Sequence, residues 1–170
     1  MEKAAILIDT FTAAVLLLIV DNDKILFIKR AEHLRNHAGE VSFPGGKFDK
    51  NADKNLTDTA IREAKEEIGI TNDRFRITGK LPPEYTVSTN FKVYTYIAEV
   101  KNPVKWNINK KEVDRILLVP IAHLQNAKFK VKVPIKIKGK QYLNTFYYYK
   151  NYLIWGATSR ILDNFLNNYA

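Results

Sequence analysis

The sequence predicts a single α+β domain in which strands and helices interleave around one core. Three observations carry that expectation. Apolar, β-branched runs bounded by turn residues recur along the chain, amphipathic helical patterns interrupt and close them, and no Pro/Gly/Ser-rich stretch or repeat divides the 170 residues. Such a length suits one compact domain over residues 1–170, and 46% hydrophobic with 12% aromatic residues is ample material for a core.

Thr12 to Val20 is β-branched and apolar, Asp21-Asn22-Asp23 is turn-like and Lys24 to Lys29 alternates, which together predict a hairpin. Ala31 to Phe43 is mixed and polar, a loop with short extended pieces, and Pro44-Gly45-Gly46 is expected to break any regular element. Leu56 to Ile68 is the clearest helix, with Gly69 as its stop. Strands are expected over Arg74–Thr78, Phe91–Val100 and Ile116–Val119, with a proline-bearing loop at Leu81–Asn90 and a short helix opened by Pro120. Lysines alternate with apolar residues over Phe129–Lys138, which predicts a strand pair with a wet lysine face. Ala157 to Tyr169 closes the chain as an amphipathic helix with Ile161, Leu162, Phe165 and Tyr169 on one side.

Cysteine is absent, which excludes disulfides and thiolate metal sites. The apolar run Ala13–Val20 is far shorter than the ~20 residues of a membrane span. Glu2, Lys3 and Asp9 ahead of it make a poor signal-peptide start. A cytoplasmic protein with no membrane partner is the expectation. The net charge of +9 and pI near 9.6 favour anionic partners (phosphorylated metabolites, nucleic acid or acidic surfaces) without choosing among them.

The chemistry concentrates on the Leu56–Ile68 helix. At about 100° per residue, Glu67 lies about 40° to one side of Glu63 and Glu66 about 60° to the other. The three carboxylates share a stripe, while Thr57, Ala60, Ile61, Ala64 and Ile68 form the packing face. Arg62 stands one turn before Glu66 and is placed for an i,i+4 pair. Clustered carboxylates repel unless cations intervene, and an oxygen-preferring ion such as Mg²⁺ or Mn²⁺ resolves the conflict. The bland alternative is a solvated acidic face with surface ion pairs to Arg62 and Lys65.

The surroundings favour the sharper alternative. Gly46 followed by Arg62-Glu63-Ala64-Lys65-Glu66-Glu67-Ile68-Gly69-Ile70 resembles the Nudix hydrolase box, G-x5-E-x7-R-E-U-x-E-E-x-G-U with U aliphatic. The first half departs from it: the glycine-to-arginine spacing is two residues longer, and the early glutamate position falls on Ala52 or Lys54, with Asp49 and Asp53 the nearest acids. Arg30-Ala31, Arg35, Gly39 and Phe43-Pro44-Gly45-Gly46 resemble the R-[SA]-x3-R-x3-G-x3-F-P-G-G signature of the coenzyme A pyrophosphatase subgroup. Leu81-Pro82-Pro83 with Ser88-Thr89-Asn90-Phe91, Glu112-Val113 with Val119-Pro120-Ile121, and Ile154-Trp155-Gly156-Ala157-Thr158 resemble later subgroup segments.

That resemblance implies a Nudix-type α/β/α sandwich around a mixed β-sheet. It also implies Mg²⁺- or Mn²⁺-dependent hydrolysis of coenzyme A, or its thioesters, to adenosine 3′,5′-bisphosphate and 4′-phosphopantetheine or its acyl form. Glu63, Glu66 and Glu67 become the expected metal ligands, with the Gly46 carbonyl a further one and Arg62 an orienting residue. The general base stays open between a helix glutamate and Glu112, whose bland alternative is an exposed loop acid beside Lys110 and Lys111. Arg30, Arg35 and Lys47 are candidates for gripping phosphate, against ordinary pairing with Glu32 or Glu40. His37 is a candidate for phosphate or adenine, against simple exposure. Asp49 and Asp53 assist metal or cap the helix, and Trp155 is weighed between adenine stacking and core packing. The competing functions are a Nudix enzyme for a dinucleotide, nucleotide sugar or capped RNA, and a nucleic-acid module using Lys128–Lys140, ranked lower because strand alternation explains those lysines.

Overall fold

The computed structural model describes residues 11–87, 89–100, 105–137 and 139–169. Glu2, Lys3, Asp9, Ser88 and Lys138, used in the sequence reading, lie outside the described residues.

The hairpin forms as the pattern requires. Strand β1 (Thr12–Val20) turns through Asp21 and Asn22, both at positive φ, into β2 (Lys24–Arg30). Asn and Asp tolerate that left-handed region better than most residues, which is why they stand at the turn. Next come β3 (Val41–Ser42) and β4 (Gly45–Lys47). The expectation that Pro44-Gly45-Gly46 would break regular structure is corrected here. Both glycines lie in β4, where Ala14 is the partner of Gly46 and Val15 that of Gly45. A Cβ on Gly45 would strike the Ala14 carbonyl and the Val15 backbone, and its φ of 148° is one that side-chain-bearing residues avoid.

One edge of β1 is therefore shared. Its C-terminal half pairs antiparallel with β2 from Leu18↔Leu26 to Val20↔Lys24, and its N-terminal half pairs antiparallel with β4. The other edge runs parallel to the strand Lys92–Val100. With Phe75–Lys80 as β5, Glu84–Tyr85 as β6, that strand as β7 and Val113–Pro120 as β8, the sheet follows the order β3-β2-β1-β7-β5, with β8 on β2 and β6 on β7. A short helix, α2 (Ile121–Gln125), follows Pro120.

Alternation along β1 assigns the two faces. Ala14, Leu16, Leu18 and Val20 pack with Ala60, Ala64 and Ile68 of helix α1 (Leu56–Ile68). Leu17 faces the other way, in a cluster with Ile161, Leu162 and Phe165 of the C-terminal helix α3 (Gly156–Asn168). The result is the expected helix–sheet–helix sandwich. No helix among the described residues is long and apolar enough to cross a membrane.

Helix α1 is capped at both ends. Asn55, not Asp49 or Asp53, is the N-cap: its Oδ1 accepts the Asp58 N–H at 3.0 Å, while Asp58 accepts the Lys54 N–H at 3.1 Å. Gly69 ends the helix at φ 71°, its N–H donating to the Lys65 carbonyl at 3.0 Å. The Asn107 and Asn109 amides donate to the Ile68 and Glu67 carbonyls, each at 3.0 Å, so the segment before β8 satisfies carbonyls that the helix leaves open.

A second sheet of β9 (Lys130–Ile137), β10 (Lys140–Tyr149) and β11 (Tyr152–Ile154) lies toward the C-terminus. Lys132 and Lys136 of β9 are exposed as expected, but Val131 and Val133 are exposed as well, on this edge strand. Trp155, weighed toward core packing, is 43% exposed where it precedes α3. Arg160 of α3 donates to Glu84 at 2.9 Å, to the Tyr85 carbonyl at 2.6 Å and to Asn144 at 3.3 Å, tying the helix to β6 and β10.

Replacing Gly69 by alanine tests the helix stop. A Cβ there would meet the Asn107 Cβ at 2.6 Å, and a left-handed alanine carries its own penalty. Denaturant unfolding should show a loss of roughly 1–3 kcal/mol.

Candidate active site

The three helix glutamates share a stripe but not an environment. Glu67 is 1% exposed. Its Oε2 accepts the Gly45 N–H at 2.9 Å and its Oε1 lies 3.7 Å from Arg30 Nη1. Glu63, one turn earlier on the same face, is mostly buried and fills the space over Gly46, where a Cβ would come within 2.5–2.6 Å of its carboxyl atoms. Any side chain at position 46 would displace that carboxylate. Glu66 points outward, its side chain 50% exposed.

Arg62 lies between these acids and the loop before the helix. Its Nε and Nη2 donate to the two oxygens of Asp53 at 2.8 and 3.0 Å, a bidentate pair. Nη1 donates to Glu63 at 2.8 Å and to Glu66 at 3.2 Å, the latter the i,i+4 pair that the spacing predicts. Nη2 also reaches the Lys47 carbonyl at 3.2 Å. Asp53 is buried and further accepts the Thr59 hydroxyl and the Asp49 N–H, each at 2.9 Å. The Arg62 guanidinium holds its carboxyl down at about 2. Asp53 is thus a structural counter-charge, which the sequence signalled only as an acid near a helix start.

Burial acts oppositely on the other acids. Desolvation first, then the neighbouring Glu63 and Glu112 carboxylates, push Glu67 up to about 8 against the opposing Gly45 N–H and Arg30. Desolvation is also the leading cause that raises Glu63, with Arg62 opposing and Glu66 and Glu112 adding to the rise. Glu112, in the turn before β8, makes the smallest of these contributions to both. Its backbone carbonyl accepts the Ala31 N–H at 2.9 Å, and a bulge in the β2–β8 pairing at Lys29/Arg30 sets that junction.

Gly46, Glu63, Glu67, Arg62 and Arg30 are thus brought together where β4 and β2 part along β1. Arg30, weighed against pairing with Glu32 or Glu40, is directed at Glu67 instead, and its Nε is buried without a partner among the described residues. The remaining candidates lie further out. Arg35 and His37 are exposed on the loop after β2, with His37 Nδ1 2.9 Å from Glu40 Oε2. Lys47 turns its Nζ over the Phe91 ring, 5.0 Å from the centroid.

The donor set fits a hard divalent cation in kind: carboxylates on one helix face, two of them desolvated and mutually repelling. Among the described residues no three Asp, Glu, His or Cys side chains already stand close enough to chelate one. Glu63 is instead occupied by Arg62 and Glu67 by the Gly45 amide.

Comparison with known proteins gives the same picture. A family model described as the NUDIX domain matches residues 10–137. An uncharacterized Nudix hydrolase, NudL, of Photorhabdus laumondii is 34% identical over 152 residues, covering 88% of this chain and 80% of that protein. Among solved structures, an Ap4A hydrolase binary complex of C. elegans matches with a TM-score of 0.55 at 20% identity, over 65% of this chain and 80% of that one. The MutT protein of Methanosarcina mazei matches with a TM-score of 0.54 at 22% identity, over 65% and 77%. At such identities the structural likenesses bear on the fold alone.

Two pH dependences separate the two kinds of acid. Asp53 ionises near about 3.9 when unfolded and at about 2 in the fold. Its stabilisation, about 2 kcal/mol, is complete above the unfolded value and disappears as pH falls through the folded one. Asp53→Asn should therefore be less stable than wild type at neutral pH, with the gap closing in acid denaturation series. Glu67 has the opposite sign: raised to about 8, it favours the fold when protonated and costs stability as pH rises from its unfolded value through 8. In metal-free protein Glu67→Gln should unfold later than wild type at about pH 8, by roughly 2 kcal/mol or more, and the advantage should shrink toward about pH 5.

Proposed function

This chain belongs to the NUDIX domain family, and from that membership we propose that it hydrolyses the diphosphate bond of coenzyme A or its thioesters. The products would be adenosine 3′,5′-bisphosphate and 4′-phosphopantetheine or its acylated form. One observation carries the choice of substrate class. The subgroup signature opens at Arg30 and closes at Gly45-Gly46, and both ends meet the buried Glu67 of the family box, through Arg30 Nη1 and the Gly45 N–H. Two motifs far apart in the chain are in this way one construction.

The reading assigns roles as follows. Glu63, Glu66 and Glu67, with the Gly46 carbonyl, would hold the divalent ion, which nearly neutralises their mutual repulsion. Arg62 keeps Glu63 and the Lys47 backbone in place from its anchor on Asp53. Arg30 has an unsatisfied Nε and a guanidinium beside the acids, so it would grip a phosphate oxygen entering the site. Lys47, Arg35 and His37 would meet the more distal phosphate or the adenine. Glu112, in the turn before β8, would accept the proton of the attacking water. A bound Mg²⁺ or Mn²⁺ supplies charge neutralisation of the diphosphate and activation of water.

A product assay tests the substrate. Purified protein with Mg²⁺ or Mn²⁺ should release adenosine 3′,5′-bisphosphate from coenzyme A with a higher kcat/KM than it shows on dinucleotides, nucleotide sugars or capped RNA. Faster turnover of one of those compounds would move the assignment within the family. Glu67→Gln should lose roughly 10²–10⁴-fold in kcat while keeping its circular dichroism spectrum; near-normal turnover would reject the acid cluster as the catalytic centre.

A further inference from the structure

Asn109 belongs to no motif of the sequence, yet it joins the two acidic elements of the site. Its N–H donates to the Glu67 carbonyl at 3.0 Å at the end of α1. Its own carbonyl accepts the Glu112 and Val113 N–H groups at 3.0 and 2.8 Å, closing the turn into β8. Its side chain is used at both ends as well: Oδ1 accepts the Lys111 N–H at 3.1 Å, and Nδ2 donates to Glu112 Oε1 at 3.2 Å. One residue thus fixes where the turn begins, how it folds and where the acid at its far end points.

The last bond is the informative one. A turn of this shape needs only the Oδ1 acceptor, an Asx-type closure that aspartate or serine can also make. The amide Nδ2–H has no part in that closure. It is spent on the carboxylate of Glu112, whose charge adds to the rise of both Glu63 and Glu67. Without a donor on its own side, Glu112 would relieve the repulsion by rotating out to Lys110 or Lys111 and to water. Side chains flanking a reacting site must be held to within a fraction of an ångström, and a hydrogen bond from a packed neighbour is the usual means.

We propose that Asn109 is the positioning residue of this site, its side-chain amide holding the Glu112 carboxylate toward Glu63 and Glu67. The inference rests on the catalytic role given to Glu112 above. It adds a residue that touches neither substrate nor ion and acts only through another side chain.

The test compares Asn109→Asp, Asn109→Ser, Glu112→Gln and the double variant Asn109→Asp/Glu112→Gln on the best diphosphate substrate of the wild type. Both Asn109 variants keep an acceptor for the Lys111 N–H and lose the amide donor, and the serine variant serves where the aspartate fails to fold. The expected result is a kcat reduced roughly tenfold or more with KM within about twofold, and a double variant no slower than Glu112→Gln alone, since the two residues act as one unit. A purely structural asparagine would lower the melting temperature and the active fraction, leave the kcat of folded molecules unchanged, and add its effect to that of Glu112→Gln. That pattern overturns the inference while leaving the enzyme assignment standing. Full activity in Glu112→Gln overturns it too, by removing the residue that Asn109 serves. A wild type inert on every diphosphate tried removes the functional reading first, and this inference with it.

Discussion

Glu67 takes an ionisable carboxyl to a place where almost none of it meets water, and its compensation comes from separate parts of the chain. The Gly45 amide gives a hydrogen bond, Arg30 gives a charge at longer range, and Glu63 and Glu112 work against both. A buried carboxylate with an incomplete set of partners is costly, and folds rarely keep one without a use. The surrounding architecture can be understood from the need to hold it. Helix α1 lies close to β1 because Ala60 and Ala64 are small, β4 presents an amide because Gly45 permits its backbone course, and the turn before β8 closes over the end of the helix.

The same helix carries an opposite arrangement one residue away from Glu63. Arg62 and Asp53 form a bidentate pair in which each charge is answered, and a threonine hydroxyl and a backbone amide use the remaining lone pairs of Asp53. Satisfied and unsatisfied charge thus stand side by side, and they do different work. The first braces the loop between β4 and α1. The second leaves an electrostatic debt that a divalent cation can settle.

Much of this was open to a reader of the sequence. The span Leu56–Ile68, the Gly69 stop and the hairpin about Asp21-Asn22-Asp23 coincide with the structure because each rests on local chemistry: periodicity, a left-handed glycine, turn residues. Long-range pairings were not open in this way. Nothing in the sequence says that Asp53 belongs to Arg62 or that Asn109 faces Glu112, since such pairs depend on how a loop returns to a helix. Local rules also misled at two places. Gly45-Gly46 looked like a breaker and is a strand, because β1 offers it a free edge with no room for side chains. Trp155 looked like core and is 43% exposed, at the N-terminal end of α3.

The divided edge of β1 has an evolutionary consequence. Residues up to Arg30 are pinned to its second half and residues from Gly45 to its first, so both ends of the intervening excursion are anchored independently on one rigid ribbon. The exposed stretch of that excursion, residues 35–38, can then change in composition without disturbing either anchor, while Val41 and Phe43 stay in the core. The arrangement separates what must be inherited unchanged from what is free to diversify, and it lets a lineage retune which molecule is admitted while the bond-breaking apparatus stays as it was.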